Sequence, residues 1–262
     1  MSAKERFEHI SIDVADRILT VTLERPQVHN ALHPPACKEI GEVLDSLETR
    51  SDADVAIITG RGEKAFSAGF DLRWANEHPE VLKQPLIASE ITRRRDIGKP
   101  LIAAVNGLAL GLGFELALAC DLIVAAAHAR FGLPEPRVGL AAMAGGVVRL
   151  TQQIGAKRAL GIILTGNMVS ADDGLRLGFV NEIAGADVMP CARRWAATIA
   201  ECSPLSLRAS KEMAYRHGEL PDAQAALDPR SYPSVMRVLD SEDAVEGRLA
   251  FLEGRKPRWR GR

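Results

Sequence analysis

Between Lys99 and Asp121 the chain reads LIAAVNGLALGLGFELALAC, a stretch whose one carboxylate is Glu115. So apolar a run must leave water, either for a protein core or for a lipid bilayer. Four features speak against lipid: strand-forming residues at its start, the Asn106-Gly107 break, Gly111 and Gly113 in its middle, and Glu115 itself. An acidic residue at the centre of a membrane span costs about 2.5 to 3.5 kcal/mol. The run therefore reads as core, and 262 residues are enough to build that core as one main domain or a domain with an appendage.

Within the run, Leu101–Val105 reads as a strand ended by Asn106-Gly107, and Leu112–Ala119 as a short buried helix. Two further strands are expected: Ile18–Leu23, closed by Arg25-Pro26, and residues 55–59, closed by Gly60-Arg61-Gly62. All are continuous apolar runs, so burial on both faces is expected. Residues 31–47 carry Ile40, Val43, Leu44 and Leu47 near helical spacing. Strands alternating with helices give an α/β chain. After Glu201 the character turns helical, with Ser203 before Pro204 and Ser241 before Glu242 and Asp243 as start signals. Val245, Leu249 and Leu252 then fall on one face. The expected division is a core over 1–200 and a helical region over 201–262.

A formal net charge of -1 supplies no whole-molecule field for nucleic acid or an acidic membrane, so an anionic ligand must be held locally. Arg93 to Arg95 and the tail Arg255 to Arg262 read as solvated faces. Cys37, Cys120, Cys191 and Cys202 lack C-x-x-C spacing and read as reduced packing residues. The start, MSAKERFEHISID, has neither a secretory nor a transit pattern, and a cytoplasmic protein is expected.

Glu115 sits three positions into its helix, where a structural reading would make it a capping carboxylate. A second carboxylate, Glu135, lies between Pro134 and Pro136, where the structural reading is an ion pair with Arg137. The helix Leu112–Ala119 travels about 12 Å, and the strand Leu122–Ala126 can return about 16 Å, so both carboxylates can face one pocket. Such a pair suits water addition, one member taking a proton from water and the other delivering one to carbon. A conjugated thioester also needs two N–H donors for its developing enolate oxygen. Two Gly-rich bends offer them, Phe66-Ser67-Ala68-Gly69 and Gly111-Leu112-Gly113. The second bend lacks the third glycine of a dinucleotide fingerprint, and neither metal-ligand spacing nor G-x-S-x-G is present.

With both bends and both glutamates placed, the chain resembles the crotonase (enoyl-CoA hydratase/isomerase) family from Ile18 to the tail. The segments that carry the likeness are Asn30-Ala31-Leu32, Lys64 to Leu72 (KAFSAGFDL), Ala104 to Asp121, and Phe131-Gly132-Leu133-Pro134-Glu135. The resemblance implies a spiral of repeated ββα units with C-terminal helices that pack in trimers or dimers of trimers. It also implies an acyl-CoA substrate, with coenzyme A part of that substrate and no further cofactor or metal. By position, the N–H groups of Ala68 and Leu112 would form the oxyanion hole, Glu115 would activate water, and Glu135 would protonate the α-carbon. Lys64, Phe66, Ala68, Gly69, Phe70, Asp71, Leu72 and Leu112 would contact substrate or CoA.

Both glutamates together favour an enoyl-CoA hydratase. Carnitinyl-CoA-type dehydratases share the constellation, and isomerases would rely on Glu135 alone. Leu112 stands where many members have glycine, which puts a branched side chain beside the acyl group. The segment Gly139 to Met143 lacks a proline of the family. Gly254 replaces a CoA-phosphate lysine, for which Arg255 or Lys256 would have to substitute. Trp74 reads as either a lid or a structural residue. An RNA-binding or regulatory relative is a competing class, resting only on the basic runs, and near-neutral charge disfavours it.

Overall fold

Strands form where the sequence is apolar, and most of them pair in parallel because helices between successive units carry the chain back. The computed structural model describes residues 7–80, 91–92 and 97–262. The hairpin β1 (Ile10–Ala15) and β2 (Ile18–Leu23) leads through α1 (Pro34–Leu47) to β3 (Val55–Gly60), β4 (Ala65–Ser67) and α2 (Leu72–Glu77). The next units are β5 (Leu101–Val105), β6 (Leu108–Leu110) and α3 (Leu112–Ala119), then β7 (Leu122–Ala126), β8 (Arg130–Gly132) and α4 (Gly146–Ile154). There follow α5 (Ala156–Ile163), β9 (Val169–Ser170), α6 (Ala171–Leu177), β10 (Glu182–Ala184) and α7 (Met189–Ala200).

In the units β3–β4, β5–β6 and β7–β8 the first strand joins a six-stranded sheet ordered β1-β2-β3-β5-β7-β10, and the second joins a four-stranded sheet ordered β4-β6-β8-β9. Pairing is parallel from β2 through β10 in the large sheet, in the register Ile18 to Val55, Ala56 to Leu101 and Ile102 to Leu122. This is the ββα spiral that the resemblance implied. The large sheet is covered on both faces. Leu19, Val21, Ala56, Ile58 and Ala103 face the main core with α1 and α3, while Ile18, Val55, Ile57 and Ile102 face a second core under α7. That two-sided cover explains why these strands read as unbroken apolar runs.

From Pro204 onward the chain is helical: α8 (Pro204–Arg216), α9 (Ala223–Leu227), α10 (Pro233–Leu239) and α11 (Glu242–Glu253). Ser203 and Ser241 cap α8 and α11 as expected, accepting from the N–H groups of Ser206 and Ala244. No described helix is long and apolar enough to cross a membrane.

Some expectations need correction. The first helix begins at Pro34 rather than residue 31, because His29 and Asn30 adopt left-handed backbone conformations and His33 caps the helix. Val245, Leu249 and Leu252 share a face, but they remain 48, 45 and 79% exposed. Cys37, Cys120 and Cys191 are buried and in no disulfide, whereas Cys202 is exposed and is no packing residue. The expectation for Arg93 to Arg95 lies outside the described residues.

Candidate active site

Two asparagines set up the first wall of the site. Asn30 donates to the carbonyls of Arg61 and Ala65 and accepts from the Arg25 N–H, while Asn106 donates to the carbonyls of Gly60 and Gly62. Together they hold the turn between β3 and β4, so that β4 delivers Ala68 and Gly69 at a fixed place. Gly69 has φ +96°, and a Cβ there would lie 2.5 Å from the Leu110 carbonyl oxygen and 3.2 Å from the Leu112 N. Only glycine allows the two bends to approach this closely.

The position of the first N–H donor differs from expectation. Ala68 donates its N–H to the His29 carbonyl at 2.9 Å, so it is not available to a substrate oxygen. Phe70 supplies the alternative. It forms a parallel bridge with Leu32 in which the flanking groups make the bonds: Leu32 N–H to Gly69 O at 2.7 Å and Asp71 N–H to Leu32 O at 2.8 Å. The Phe70 N–H therefore points away from Leu32, and it has no acceptor among the described residues. The Leu112 N–H, at the first position of α3, is likewise without an acceptor there, as the opening donors of a helix are. Sequence reasoning placed Phe70 among the substrate contacts but missed this role, because the bridge partner that orients it lies far away in sequence.

The other substrate contacts divide. Asp71 is held below the usual carboxylate range: burial opposes this, but the Trp74 N–H it caps and Arg25, paired at 3.0 Å, outweigh it. Its role is to anchor α2. Phe66 is fully buried in the main core, and Lys64 lies beyond the far end of β4, lining a cleft with Thr20, Thr59 and His128; neither is at the site. The Leu112 side chain is 3% exposed within the main core, so it does not stand free beside the acyl position. Trp74 stacks on His78 at 4.0 Å and meets His33 edge-on, which favours the structural reading. Arg255 is forked onto Glu246, leaving Lys256, 91% exposed in its side chain, as the freer cation beside Gly254.

Both glutamates reach the same place. A Cβ on Gly111 would lie 3.0 Å from Glu135 Oε1 and 3.9 Å from the Gly69 Cα. Glu115 is 3% exposed. Its Oε1 accepts the Gly146 N–H at 2.8 Å, at the start of α4 rather than of its own helix. Burial raises its pKa to about 7, helped by the neighbouring Glu135 and opposed by the Gly146 N–H, the Ala144 backbone and Arg149. Burial also raises Glu135, whose Oε2 is buried with no hydrogen-bond partner. The Arg137 ion pair does not form, since that guanidinium turns to the Thr165 carbonyl and Asn167. Two converging carboxylates, one with an oxygen that has no donor, beside two N–H groups without acceptors among the described residues, make a site suited to proton transfer next to a polarised carbonyl.

Known proteins resemble this arrangement along almost the whole chain. A family model described as Enoyl-CoA hydratase/isomerase matches residues 13–262. The carnitinyl-CoA dehydratase of Escherichia coli K12 is 42% identical over 253 residues, covering 94% of this chain and 95% of the relative. Among solved structures, the enoyl-CoA hydratase of Bacillus anthracis aligns with a TM-score of 0.92 at 32% identity, covering 97% of this chain and 100% of that one. An enoyl-CoA hydratase subunit of Geobacillus kaustophilus aligns at 0.88 with 38% identity, covering 98% and 99%.

Proposed function

The chain belongs to the enoyl-CoA hydratase/isomerase family, and on that premise we propose that it is a hydro-lyase acting across carbons 2 and 3 of an acyl-CoA thioester. The observation that carries this reading is the pair Glu115, buried, and Glu135, partly buried, both shifted towards the protonated form and near enough that Glu135 adds to the shift of Glu115.

In the hydration direction the thioester oxygen accepts from the Phe70 and Leu112 N–H groups. Ionised Glu115 takes a proton from water as the oxygen bonds to carbon 3, and electrons move onto the thioester oxygen as an enolate. Protonated Glu135 then gives its proton to carbon 2 as the carbonyl reforms, and exchange with solvent resets the pair. The roles follow from the donors: Glu115 has the Gly146 N–H and Arg149 to favour its charge, while Glu135 Oε2 has none. Dehydration is the same path reversed, and likeness to carnitinyl-CoA dehydratases supports a 3-hydroxyacyl-CoA as the physiological partner. On this reading the bend from Ala68 to Leu72 contacts the CoA portion. No cofactor is needed, coenzyme A being part of the substrate.

The test follows enoyl-thioester absorbance with crotonyl-CoA, a branched enoyl-CoA and, in reverse, carnitinyl-CoA. Turnover of any of them, lost by a factor of about 10² to 10⁴ in both Glu115→Gln and Glu135→Gln, supports a hydro-lyase. Activity that survives Glu115→Gln but not Glu135→Gln points to an isomerase, and silence on every substrate overturns the reading.

A further inference from the structure

Glu115 owes its one short hydrogen bond to a bend that α3 does not itself build. The N–H of Gly146 reaches Glu115 Oε1 only because the chain turns sharply at Gly145, where φ is +101°. Two side chains hold that turn. The buried Thr92 hydroxyl donates to the Ala144 carbonyl at 2.6 Å. Arg149, one turn into α4, folds back over Gly145: its guanidinium donates to the Ala144 carbonyl at 3.4 Å and to the Thr92 carbonyl. The Gly145 backbone is so tightly covered that a Cβ there would clash with the Arg149 Nη1. Thr92, Ala144 and Arg149 thus form a closed clasp around the residue preceding the donor.

We propose that Arg149, braced by Thr92, is a positioning residue that keeps the Gly146 N–H aimed at Glu115 and adds a positive charge that favours its carboxylate. Arg149 touches no reacting atom. The inference rests on Glu115 being the water-activating base. Among the described residues, the charged groups that act on Glu115 are Arg149 from α4 and Glu135 from the turn after β8. The strands packed against α3, namely β4, β5 and β6, contain no titratable side chain. Among the described residues, removing Arg149 therefore leaves Glu115 with Glu135 as its charged neighbour, and with a slacker N–H.

The experiment is an infrared titration of the Glu115 carboxyl in the unliganded protein, assigned by its loss in Glu115→Gln, run on wild type, Arg149→Met, Arg149→Lys and Thr92→Val. Arg149→Met is expected to move the midpoint upward by about half a unit to one unit. Thr92→Val, which changes no charge, is expected to move it less and in the same direction, and Arg149→Lys to restore part of the shift. In turnover assays kcat is expected to fall by about tenfold or more in Arg149→Met, with KM changing much less. An unchanged midpoint in Arg149→Met, even with a lowered melting temperature, overturns the proposal and leaves Arg149 a structural residue. Should Arg149→Met fail to fold, an upward midpoint in Thr92→Val and Arg149→Lys supports the clasp, and unmoved midpoints in both overturn it. Because the titration needs no substrate, absence of turnover in wild type counts against the hydro-lyase reading alone.

Discussion

Glu115 illustrates how a buried carboxyl burdens the fold. Its carboxyl has an ordinary value near 4.5 and is raised by burial to about 7 in the folded chain. A raised folded value means that the folded state favours the proton. The associated stability is therefore full below the unfolded value of about 4.5 and is lost as pH rises to about 7. Replacement by glutamine keeps an oxygen for the Gly146 N–H and removes the titration. Glu115→Gln is thus expected to stabilise the fold more at pH 8 than at pH 4.5, by a difference on the order of 3 kcal/mol in unfolding free energy. A calorimetric comparison at the two pH values checks this, and equal effects would contradict it. His33 gives the mirror case. Burial, with Arg25 and His9 nearby, lowers it to about 4. Its neutral Nδ1 accepts the Ala36 N–H at the start of α1. Stability tied to this histidine is present above about 6.5 and fades as pH falls to about 4. A His33→Asn variant, which keeps a capping oxygen, is expected to flatten the acid side of the stability profile measured by urea unfolding.

At the scale of elements, the helical region is fastened to the spiral by Asp121, the residue that ends the apolar run. Its carboxylate accepts from the Leu101 N–H at 2.7 Å, from Lys211 at 2.7 Å and from the Tyr215 hydroxyl at 2.9 Å. One side chain therefore joins the start of β5 to two turns of α8. The Lys211 and Asp121 side chains are only 12 and 17% exposed, so losing one partner strands the other. Asp121→Ala is expected to cost about 2 to 4 kcal/mol. Hydrogen exchange should show protection lost first in α8. If α8 and the core open together as before, the fastening is not where the stability lies.

For the whole molecule, large apolar side chains remain in contact with water among the described residues. Phe251 and Leu252, at the end of α11, are 86 and 79% exposed, and Val138, Met143 and Leu164 are 56, 57 and 71% exposed. Exposed apolar surface of this kind is what an interface between identical subunits would cover. Sedimentation is expected to give a homotrimer or a dimer of trimers. The double variant Phe251→Asp, Leu252→Asp is expected to shift the mass towards the monomer. A wild-type monomer at micromolar concentration would remove the basis for this assembly.

What was legible in the sequence was whatever depends on neighbours a few residues apart. The strands at 18–23 and 101–105 and the helix at 112–119 announced themselves because burial on both faces leaves few polar positions to interrupt the run. Spacing along the chain also brought Glu115 and Glu135 together, since a short helix and a returning strand have fixed lengths. The short strands β4, β6 and β8 were not legible, for three residues carry too little periodicity, and pairing with each other defines them. Nor was the first N–H donor. Ala68 and Phe70 are two residues apart in one bend, and choosing between them depends on the His29 carbonyl and the Leu32 bridge. The donor to Glu115 likewise comes from Gly146, on another helix. Sequence fixes which residue types can do the chemistry. Which N–H groups remain unspent to do it is decided only when distant segments have taken the rest.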